Sequence, residues 1–231
     1  MSEKSKKILS SIFVAVCGAL TVLNAVIDFC FDGDSTVFKY CGIILCVVFA
    51  ASACIKDGKS SIIVLCGLIF TCAADYFLLV KNDRYEIGVA AFIVAQIFYF
   101  IKIKVDKNGA KKGVFISLAV RVAVSCALII VAAVTGIGEP LVYLVAVYAV
   151  NFAANIIEAY SAFSVGVKNR VFAIGLSLFA LCDICVLLFN LGAFIHVGYD
   201  EQTAIFFVKL SWVFYLPSQC LISLSSRLKN R

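Results

Sequence analysis

Charged residues are scarce in this 231-residue chain, of which Asp, Glu, Lys and Arg together make up 15%. A soluble domain has about 25% charged residues and is about half apolar, whereas this chain is 63% hydrophobic with a mean hydropathy of +1.06. The composition excludes a soluble domain and predicts an integral, multi-pass membrane protein. Eight spans of about 20 residues would use most of the chain, so we expect the function to lie within the membrane bundle.

Proline is also rare, with two residues in the chain. The apolar runs are far longer than the ~10 residues of a lipid-crossing strand, whereas a transmembrane β-barrel has short alternating segments separated by turns. The predicted fold class is therefore all-α, a polytopic bundle of transmembrane helices.

Histidine is nearly absent, since the chain has only His196, in a predicted connection. The one Cys-x-x-Cys spacing joins Cys182 and Cys185 inside an apolar run. A zinc site needs three or four N or S ligands, so the sequence argues against a metal centre. The eleven cysteines are scattered singly through apolar stretches, which is typical of buried packing residues in a reduced chain rather than of a disulfide framework.

Apolar runs bounded by charged residues predict eight spans. They lie near Leu9 to Phe31, Thr36 to Ile55, Ser61 to Val80, Tyr85 to Val105, Gly113 to Gly136, Pro140 to Phe163, Arg170 to Asn190 and Thr203 to Ser226. We expect these spans to form a single transmembrane domain over residues 1–231.

Basic residues are distributed unequally between alternate connections. One side collects Lys4, Lys6, Lys7, Lys56, Lys59, Lys102, Lys104, Lys107, Lys111, Lys112, Lys168, Arg170, Arg227, Lys229 and Arg231. The other has Lys39, Lys81 and Arg84 beside seven acidic residues. Because positively charged loops stay in the cytoplasm, both termini are predicted to be cytoplasmic, and a bacterial host would place the protein in its cell membrane. The net charge of +6 is thus an orientation signal rather than a sign of a nucleic-acid partner.

An internal repeat relates the two halves of the chain at an offset of 108 residues. Its clearest match aligns Gly67, followed by Asp75 eight residues later, with Gly175, followed by Asp183 eight residues later. Four spans per repeat give both halves the same direction, with a pseudo-twofold axis along the membrane normal. We predict two parallel four-helix repeats, over about residues 9–105 and 113–226.

Asp75 and Asp183 lie about 13 to 14 residues from the predicted starts of their spans, or roughly 20 Å into a ~30 Å core. A carboxyl group at that depth is costly, so each residue is a functional hypothesis by default. Two such residues at matching depth predict a site.

Further polar residues recur at helical spacing and indicate a shared polar cavity. They are Gln96 and Tyr99 on the fourth span, Arg121 on the fifth, Tyr148, Asn151, Asn155 and Glu158 on the sixth, and Tyr215 and Gln219 on the eighth. Interhelical hydrogen bonding is the alternative interpretation for any single member. Arg121 and Glu158, on successive spans, are expected to form an ion pair that stabilises the bundle.

Across most of its length the chain resembles the YhhN/TMEM86 family of eight-span membrane proteins, which includes lysoplasmalogenases. The resemblance rests on Gly67-Leu-Ile-Phe with Asp75-Tyr-Phe-Leu-Leu, on Gly88-x-x-x-Phe92-x-x-Ala95-Gln96-x-x-Tyr99, on Ser177-Leu-Phe-Ala-Leu-Cys-Asp183, and on Tyr215-Leu-Pro-Ser-Gln219-Cys-Leu-Ile. The family pattern often has histidine where Gln96 stands, and a glutamine does not move protons.

The resemblance implies hydrolysis of the vinyl ether bond of a lysoplasmalogen to a fatty aldehyde and a glycerophospho head group. Two nearby buried carboxyls do not both ionise readily, so one of Asp75 and Asp183 would be the acid and the other would stabilise the cation, in an order left open. The reaction requires no metal or organic cofactor, and its partner is a lipid from the bilayer. The expected substrate-binding residues are Gln96, Tyr99, Asn151, Asn155, Tyr215, Gln219 and, if Glu158 does not engage it, Arg121 for the phosphate.

A small proton-coupled transporter or lipid-handling protein without hydrolase activity is the alternative, because parallel repeats with midplane acids also suit carriers. No span is strongly interrupted by proline and none is obviously broken, which counts against that alternative. A purely structural subunit would leave two costly aspartates unexplained.

Overall fold

The computed structural model describes residues 3–54, 58–107, 111–191, 198 and 200–228, and within them the chain forms eight long helices and no strand. The helices are α1 (Glu3–Cys30), α2 (Thr36–Cys54), α3 (Lys59–Asp75), α4 (Tyr85–Asp106), α5 (Lys111–Val134), α6 (Pro140–Ser161), α7 (Val167–Leu191) and α8 (Glu201–Ser225). Each of the eight described spans is long and apolar enough to cross a membrane. The prediction of an all-α polytopic bundle is confirmed, while His196 and Ile55 lie outside the described residues.

Local signals explain several helix ends. Pro140 occupies the first turn of α6, where its missing N–H is not needed. Asp200 caps α8, because its carboxyl accepts a hydrogen bond from the backbone N–H of Thr203 at 2.9 Å. That hydrogen bond lowers the pKa of the exposed Asp200 carboxyl.

Four helices form the centre of the bundle, because α7 packs along α8 and α3 packs along α4. The contacts continue outward from α4 to α6, from α6 to α5, and from α8 to α1 and α2. The fully buried side chains of Leu68, Leu176 and Leu216 belong to one continuous apolar core. By contrast, α5 presents large apolar side chains outward, with Phe115 74% exposed and Val134 81% exposed, as a lipid-facing helix should.

Two glycines allow the central helices to approach closely. A Cβ on Gly67 of α3 would lie 2.3 Å from the ring of Tyr99 on α4. A Cβ on Gly175 of α7 would lie 2.9 Å from Ile222 on α8 and 3.1 Å from its backbone nitrogen. Both glycines of the predicted repeat thus lie at helix–helix contacts, where small residues let membrane helices pack tightly.

The helix ends define two faces of the bundle. We call the face where α1, α3, α5 and α7 begin the basic end, and the face where they finish the opposite end. Lys102 and Lys104, which the sequence places at the end of the fourth span as part of the basic topology signal, lie in the last turns of α4, and Lys102 is fully buried. The two-repeat arrangement and the cytoplasmic position of the basic end stay predictions.

None of the eleven cysteines, all of which are described, forms a disulfide. Cys17, Cys46, Cys182, Cys185 and Cys220 are buried, as expected for packing residues. Cys30, Cys41 and Cys126 are exposed on the bundle surface. The expectation that the cysteines pack in the interior is therefore wrong for these three, because an apolar thiol is also tolerated next to lipid.

Candidate functional site

Asp75 is the last residue of α3, and it is bound by a tyrosine from α8. The hydroxyl of Tyr215 lies 2.8 Å from Oδ1 and 2.7 Å from Oδ2 of Asp75 and donates to the carboxyl group. Both residues are buried, at 5% and 3% exposure. Trp212, one turn earlier on α8, packs edge-on against Tyr215 with ring centroids 5.0 Å apart. The first aspartate therefore lies in a closed environment with both oxygens engaged.

Asp183 of α7 has the same kind of partner in a more open setting. Tyr148 of α6 donates its hydroxyl to Oδ2 of Asp183 at 2.7 Å. Both residues are half-buried rather than buried. Tyr148 is the hydrogen-bonding partner of Asp183 in the described chain, and it leaves Oδ1 available to another group.

Aromatic side chains connect the two Asp–Tyr pairs. The ring of Phe179 packs against Tyr215 at 5.3 Å and against Phe152 and Phe92 at 4.9 and 5.7 Å. Phe92 and Phe152 each pack in turn against Tyr148 at 5.7 Å. The two pairs therefore flank one apolar cluster, which would exclude water from the space between them.

The two aspartates lie at the same depth in the bundle. Asp75 follows Lys59, the first residue of α3, by about 16 residues, and Asp183 follows Val167, the first residue of α7, by about 16. At 1.5 Å per residue this is ~24 Å from the basic end, nearer to the opposite end than the sequence predicts.

The backbone changes character directly after Asp75. Residues Tyr76–Lys81 continue α3 as a π-helical segment, a geometry that is rare and is often found at functional sites. Within it, Leu78 packs so closely on α4 that a Cβ on Gly88 would lie 2.5 Å from it. The span stays continuous from Lys59 to Lys81, so the change is one of helix type and not a break in the helix. Neither proline nor glycine marks the segment, so composition does not predict it.

Three fully buried amide side chains leave hydrogen-bonding capacity unused. Asn155 Nδ2 donates to the backbone oxygen and Oε1 of Gln96 at 2.8 and 2.9 Å, while Gln219 Nε2 donates to Ser218 at 3.2 Å. Within the described residues, Gln96 Nε2, Asn155 Oδ1 and Gln219 Oε1 have no partner. Because an unsatisfied buried amide is costly, these atoms suit water or substrate hydroxyl groups.

Tyr99 of α4 contacts α3 one helical turn before Asp75. Its hydroxyl lies 3.3 Å from Oγ1 of Thr71, and both residues are fully buried. Its ring packs over Gly67 and edge-on against Phe172 at 5.6 Å. Tyr99 is therefore a packing residue near the site rather than a partner of either aspartate.

Arg121 and Asn151 belong to a separate network between α5 and α6. Arg121 forms an ion pair with Glu158 at 3.2 Å and donates to the backbone oxygen of Asn151 at 2.9 Å. Ser117 also donates to Glu158, and Lys104 of α4 pairs with it at 2.7 Å. The expected Arg121–Glu158 ion pair is present, which is the condition under which the sequence does not expect Arg121 to bind a substrate phosphate. Helical spacing groups Arg121 and Asn151 with the candidate site because it does not show which neighbouring helix a polar face contacts, and their role in substrate binding stays a prediction.

Tyr148 was placed on a polar face by the sequence but was not chosen as a site residue. A signal for it existed, because Tyr40 and Tyr148 are separated by the same 108 residues as Asp75 and Asp183. The hydroxyl of Tyr40 accepts a contact of 3.6 Å from the thiol of Cys72, three residues before Asp75. The repeat offset therefore marks Tyr148, whereas the tyrosine that binds Asp75 is Tyr215 of α8, which this offset does not relate to Tyr148.

No group of three or more His, Cys, Asp or Glu residues in the described ranges lies close enough together to hold a metal ion. The chemistry available at the site is that of two carboxyls, two phenols and several amides.

Comparison with known proteins identifies the family. No curated protein and no solved structure matches the chain. The model of the YhhN family matches residues 35–226, which include all the helices that carry the Asp–Tyr pairs. This multi-pass membrane protein therefore belongs to the YhhN family.

Proposed function

We propose that the protein is a membrane-embedded hydrolase that cleaves the vinyl ether bond of lysoplasmalogens. The observation that carries the proposal is the pair of intramembrane aspartates, Asp75 and Asp183, each hydrogen-bonded to a tyrosine on either side of one aromatic cluster. Intramembrane acids are expensive and usually functional. Membership of the YhhN family supports the proposal through the lysoplasmalogenases that the family includes.

The reaction needs an acid, a water molecule and nearby negative charge. Protonation of the β-carbon of the vinyl ether gives an oxocarbenium ion, water adds to this cation, and the hemiacetal collapses to an aldehyde and a free glycerol hydroxyl. The proton given to carbon is recovered from the added water, so the net reaction consumes one water molecule. Carboxyl groups supply general acid–base catalysis of this kind.

The two aspartates suit different roles because their surroundings differ. Asp183 is half-buried and has Oδ1 open, so it is the group that would deliver the proton to the substrate and later activate water. Asp75 has both oxygens held by Tyr215, and as a fixed carboxylate it would stabilise the cation through space. Charges interact strongly in a site without bulk water, so Asp75 need not touch the substrate.

The lipid would enter sideways from the bilayer. Tyr148 and Asp183 are the half-buried pair, and α6, which carries Tyr148, lies towards the edge of the bundle beside α5. The alkyl chain would then contact Phe92 and Phe152, while unpartnered amide atoms such as Gln96 Nε2 would orient water or the glycerol hydroxyls. Each step uses only carboxyl groups and water, so the proposal includes no cofactor.

The test is aldehyde release by the purified protein in nanodiscs that contain lysoplasmalogen. Wild-type protein should form aldehyde, and Asp183→Asn should lower kcat by at least ~100-fold, the usual contribution of a general acid. Asp32→Asn is the matched control, because it makes the same change at an exposed residue paired with Lys209 at the opposite end. The proposal is rejected if folded wild-type protein releases no more aldehyde than Asp183→Asn.

A proton-coupled transporter is the second candidate, favoured by the π-helical segment that continues α3 directly after Asp75. Such local departures from α-helical geometry are frequent at functional sites, and acidic residues within the membrane are used by proton-coupled carriers. Uptake of a lysolipid into proteoliposomes that requires a proton gradient, together with intact ether lipid at the end of the assay, would select this candidate. Aldehyde formation without a gradient would select the hydrolase.

A further inference from the structure

A buried cluster of charged and polar side chains lies at the basic end, far from the two aspartates. We call it the lysine cluster: Ser60 of α3, Lys102 and Asp106 of α4, and Lys168 and Asn169 of α7. Lys102 is fully buried, and Ser60, Lys168 and Asn169 are at most 8% exposed. Asp106 is half-buried as a residue, but its side chain is only 6% exposed. Asn169 lies about 14 residues before Asp183 on α7, or ~21 Å along the helix.

Among the described residues, the ion pairs of the lysine cluster leave an excess of positive charge. Asp106 pairs through Oδ2 with Lys102 and through Oδ1 with Lys168, at 3.2 Å in both cases. One carboxylate therefore faces two ammonium groups. Lys102 also lies 3.7 Å from the ring centroid of Phe172, a favourable contact that does not supply the missing negative charge. Buried charges are normally paired, so an unbalanced cluster of this kind favours a bound anion.

Unused hydrogen-bond donors point to the same conclusion. Asn169 is 2% exposed, and its Oδ1 accepts a hydrogen bond from Lys102 at 2.9 Å. Its Nδ2 has no partner among the described residues. Nδ2 belongs to the same amide group whose Oδ1 accepts from Lys102 Nζ. The open donor therefore lies close to the ammonium group.

Helix geometry adds to the positive potential. The N-termini of α3 and α7 meet here, since Lys168 Nζ donates to Ser60 Oγ at 2.6 Å and both residues lie in the first turn of their helices. A helix N-terminus carries partial positive charge and free backbone N–H groups. The C-terminal end of α4, which carries Lys102 and Asp106, contributes partial negative charge at the same place. Against it stand two helix N-termini, two lysines and one open amide, with a single carboxylate as their partner.

We propose that the lysine cluster is a binding site for a phosphate group, either as inorganic phosphate or as the head group of an anionic phospholipid. A phosphate oxygen would accept from Asn169 Nδ2, while the charge of the group would balance the second ammonium ion. The lysine cluster is separate from the candidate hydrolase site. Binding of a phosphate group there should therefore change the stability of the fold, and it does not require ether hydrolysis.

The test compares thermal unfolding of wild-type protein with that of Asn169→Asp and the control Asn190→Asp. Asn169→Asp places a second carboxylate in the cluster and balances its charge. Asn190→Asp makes the same change at an exposed position near the other end of α7. One arm adds sodium phosphate to detergent-solubilised protein, against sodium chloride at equal ionic strength. The second arm compares nanodiscs of phosphatidylcholine with nanodiscs that also contain phosphatidylglycerol.

Phosphate or phosphatidylglycerol should raise the unfolding temperature of the wild-type protein and of Asn190→Asp by ~3 °C or more. It should leave Asn169→Asp unchanged, and the arm that responds identifies the source of the phosphate. If Asn169→Asp does not fold, Lys168→Gln replaces it, since this variant removes the surplus charge and keeps a donor for Ser60. The same response in wild type and in a folded cluster variant, or no response of the wild type in either arm, overturns the proposal.

Discussion

Tyr215 lies within hydrogen-bonding distance of both carboxyl oxygens of Asp75, although the two residues are 140 positions apart in the chain. Asp183 bonds to Tyr148 through one oxygen in a half-buried setting. The two aspartates therefore have the same type of partner and different exposure, which makes their contributions separable by experiment.

Removing the two phenol groups should have different consequences. Tyr148→Phe should lower kcat about tenfold, because a hydrogen bond to a charged group is worth about 1.5–3 kcal/mol. It should change the unfolding temperature little, because Asp183 remains half-exposed. Tyr215→Phe should lower the unfolding temperature as well, since it leaves Asp75 buried without its partner. Aldehyde release and thermal unfolding measure the two effects, with Tyr85→Phe as the control for an exposed phenol that bonds to Asn82. Equal thermal shifts in both variants would contradict the difference in burial.

Gly67→Ala should destabilise the contact between α3 and α4. The new methyl group would lie 2.3 Å from Cε1 of Tyr99, a fully buried ring that has little room to move. Overpacking of this kind costs about 1–3 kcal/mol. Gly18→Ala on α1 is the matched control, because a Cβ there meets nothing within 4 Å and alanine favours the helix. Thermal unfolding of the two variants should shift in opposite directions, and a shift in the same direction would refute the assigned packing.

Arg121→Gln should reduce stability and leave the KM for lysolipid unchanged. Arg121 pairs with Glu158 at 3.2 Å, and the guanidinium side chain is 4% exposed while the Glu158 side chain is 18% exposed. Loss of one partner should cost about 1–3 kcal/mol, below the ~3–5 kcal/mol of a wholly buried pair. Lys209→Gln, which breaks the exposed pair with Asp32, should have a smaller effect. A large rise in KM with unchanged stability would instead assign Arg121 to phosphate binding.

Both ends of the described chain should lie on the cytoplasmic side. A cysteine introduced in place of Lys4 should be protected from a membrane-impermeant maleimide in sealed, right-side-out vesicles, and one in place of Asp34 should be labelled. Wild-type protein supplies the background, because Cys30 and Cys41 are themselves exposed near the opposite end. Labelling at position 4 before the vesicles are opened would reverse the predicted orientation.

The bundle was predictable because each span is a long apolar run bounded by charge. The run from Thr36, for example, begins at the residue where α2 begins. Asp75 and Asp183 were also identifiable as candidate site residues, since an acidic residue within such a run is costly in lipid and is usually functional. Their partners were not, because hydrogen bonds across 140 and 35 residues depend on which helices pack together.

Periodicity also failed where burial depends on pairing. The position of Lys102 near the end of an apolar run indicates a topology signal rather than a buried charge, yet Asp106 and Asn169 allow its complete burial. Arg121 has the spacing of a site residue, but Glu158 assigns it to a different interface. Helical spacing indicates which residues share a face, but the neighbouring helix determines which contacts those residues make and how deeply they are buried.

The π-helical segment after Asp75 means that α3 and α7 leave their aspartates along different backbone paths, since α7 remains α-helical through Asp183 to Leu191. Side chains beyond the two acids therefore cannot be superimposed, even though the acids lie at equal depth. A molecule bound between them would contact two chemically identical carboxyl groups whose neighbouring backbone and side chains are arranged differently. Such an arrangement can distinguish the carbon end from the oxygen end of an unsymmetrical bond while using a single type of acidic residue.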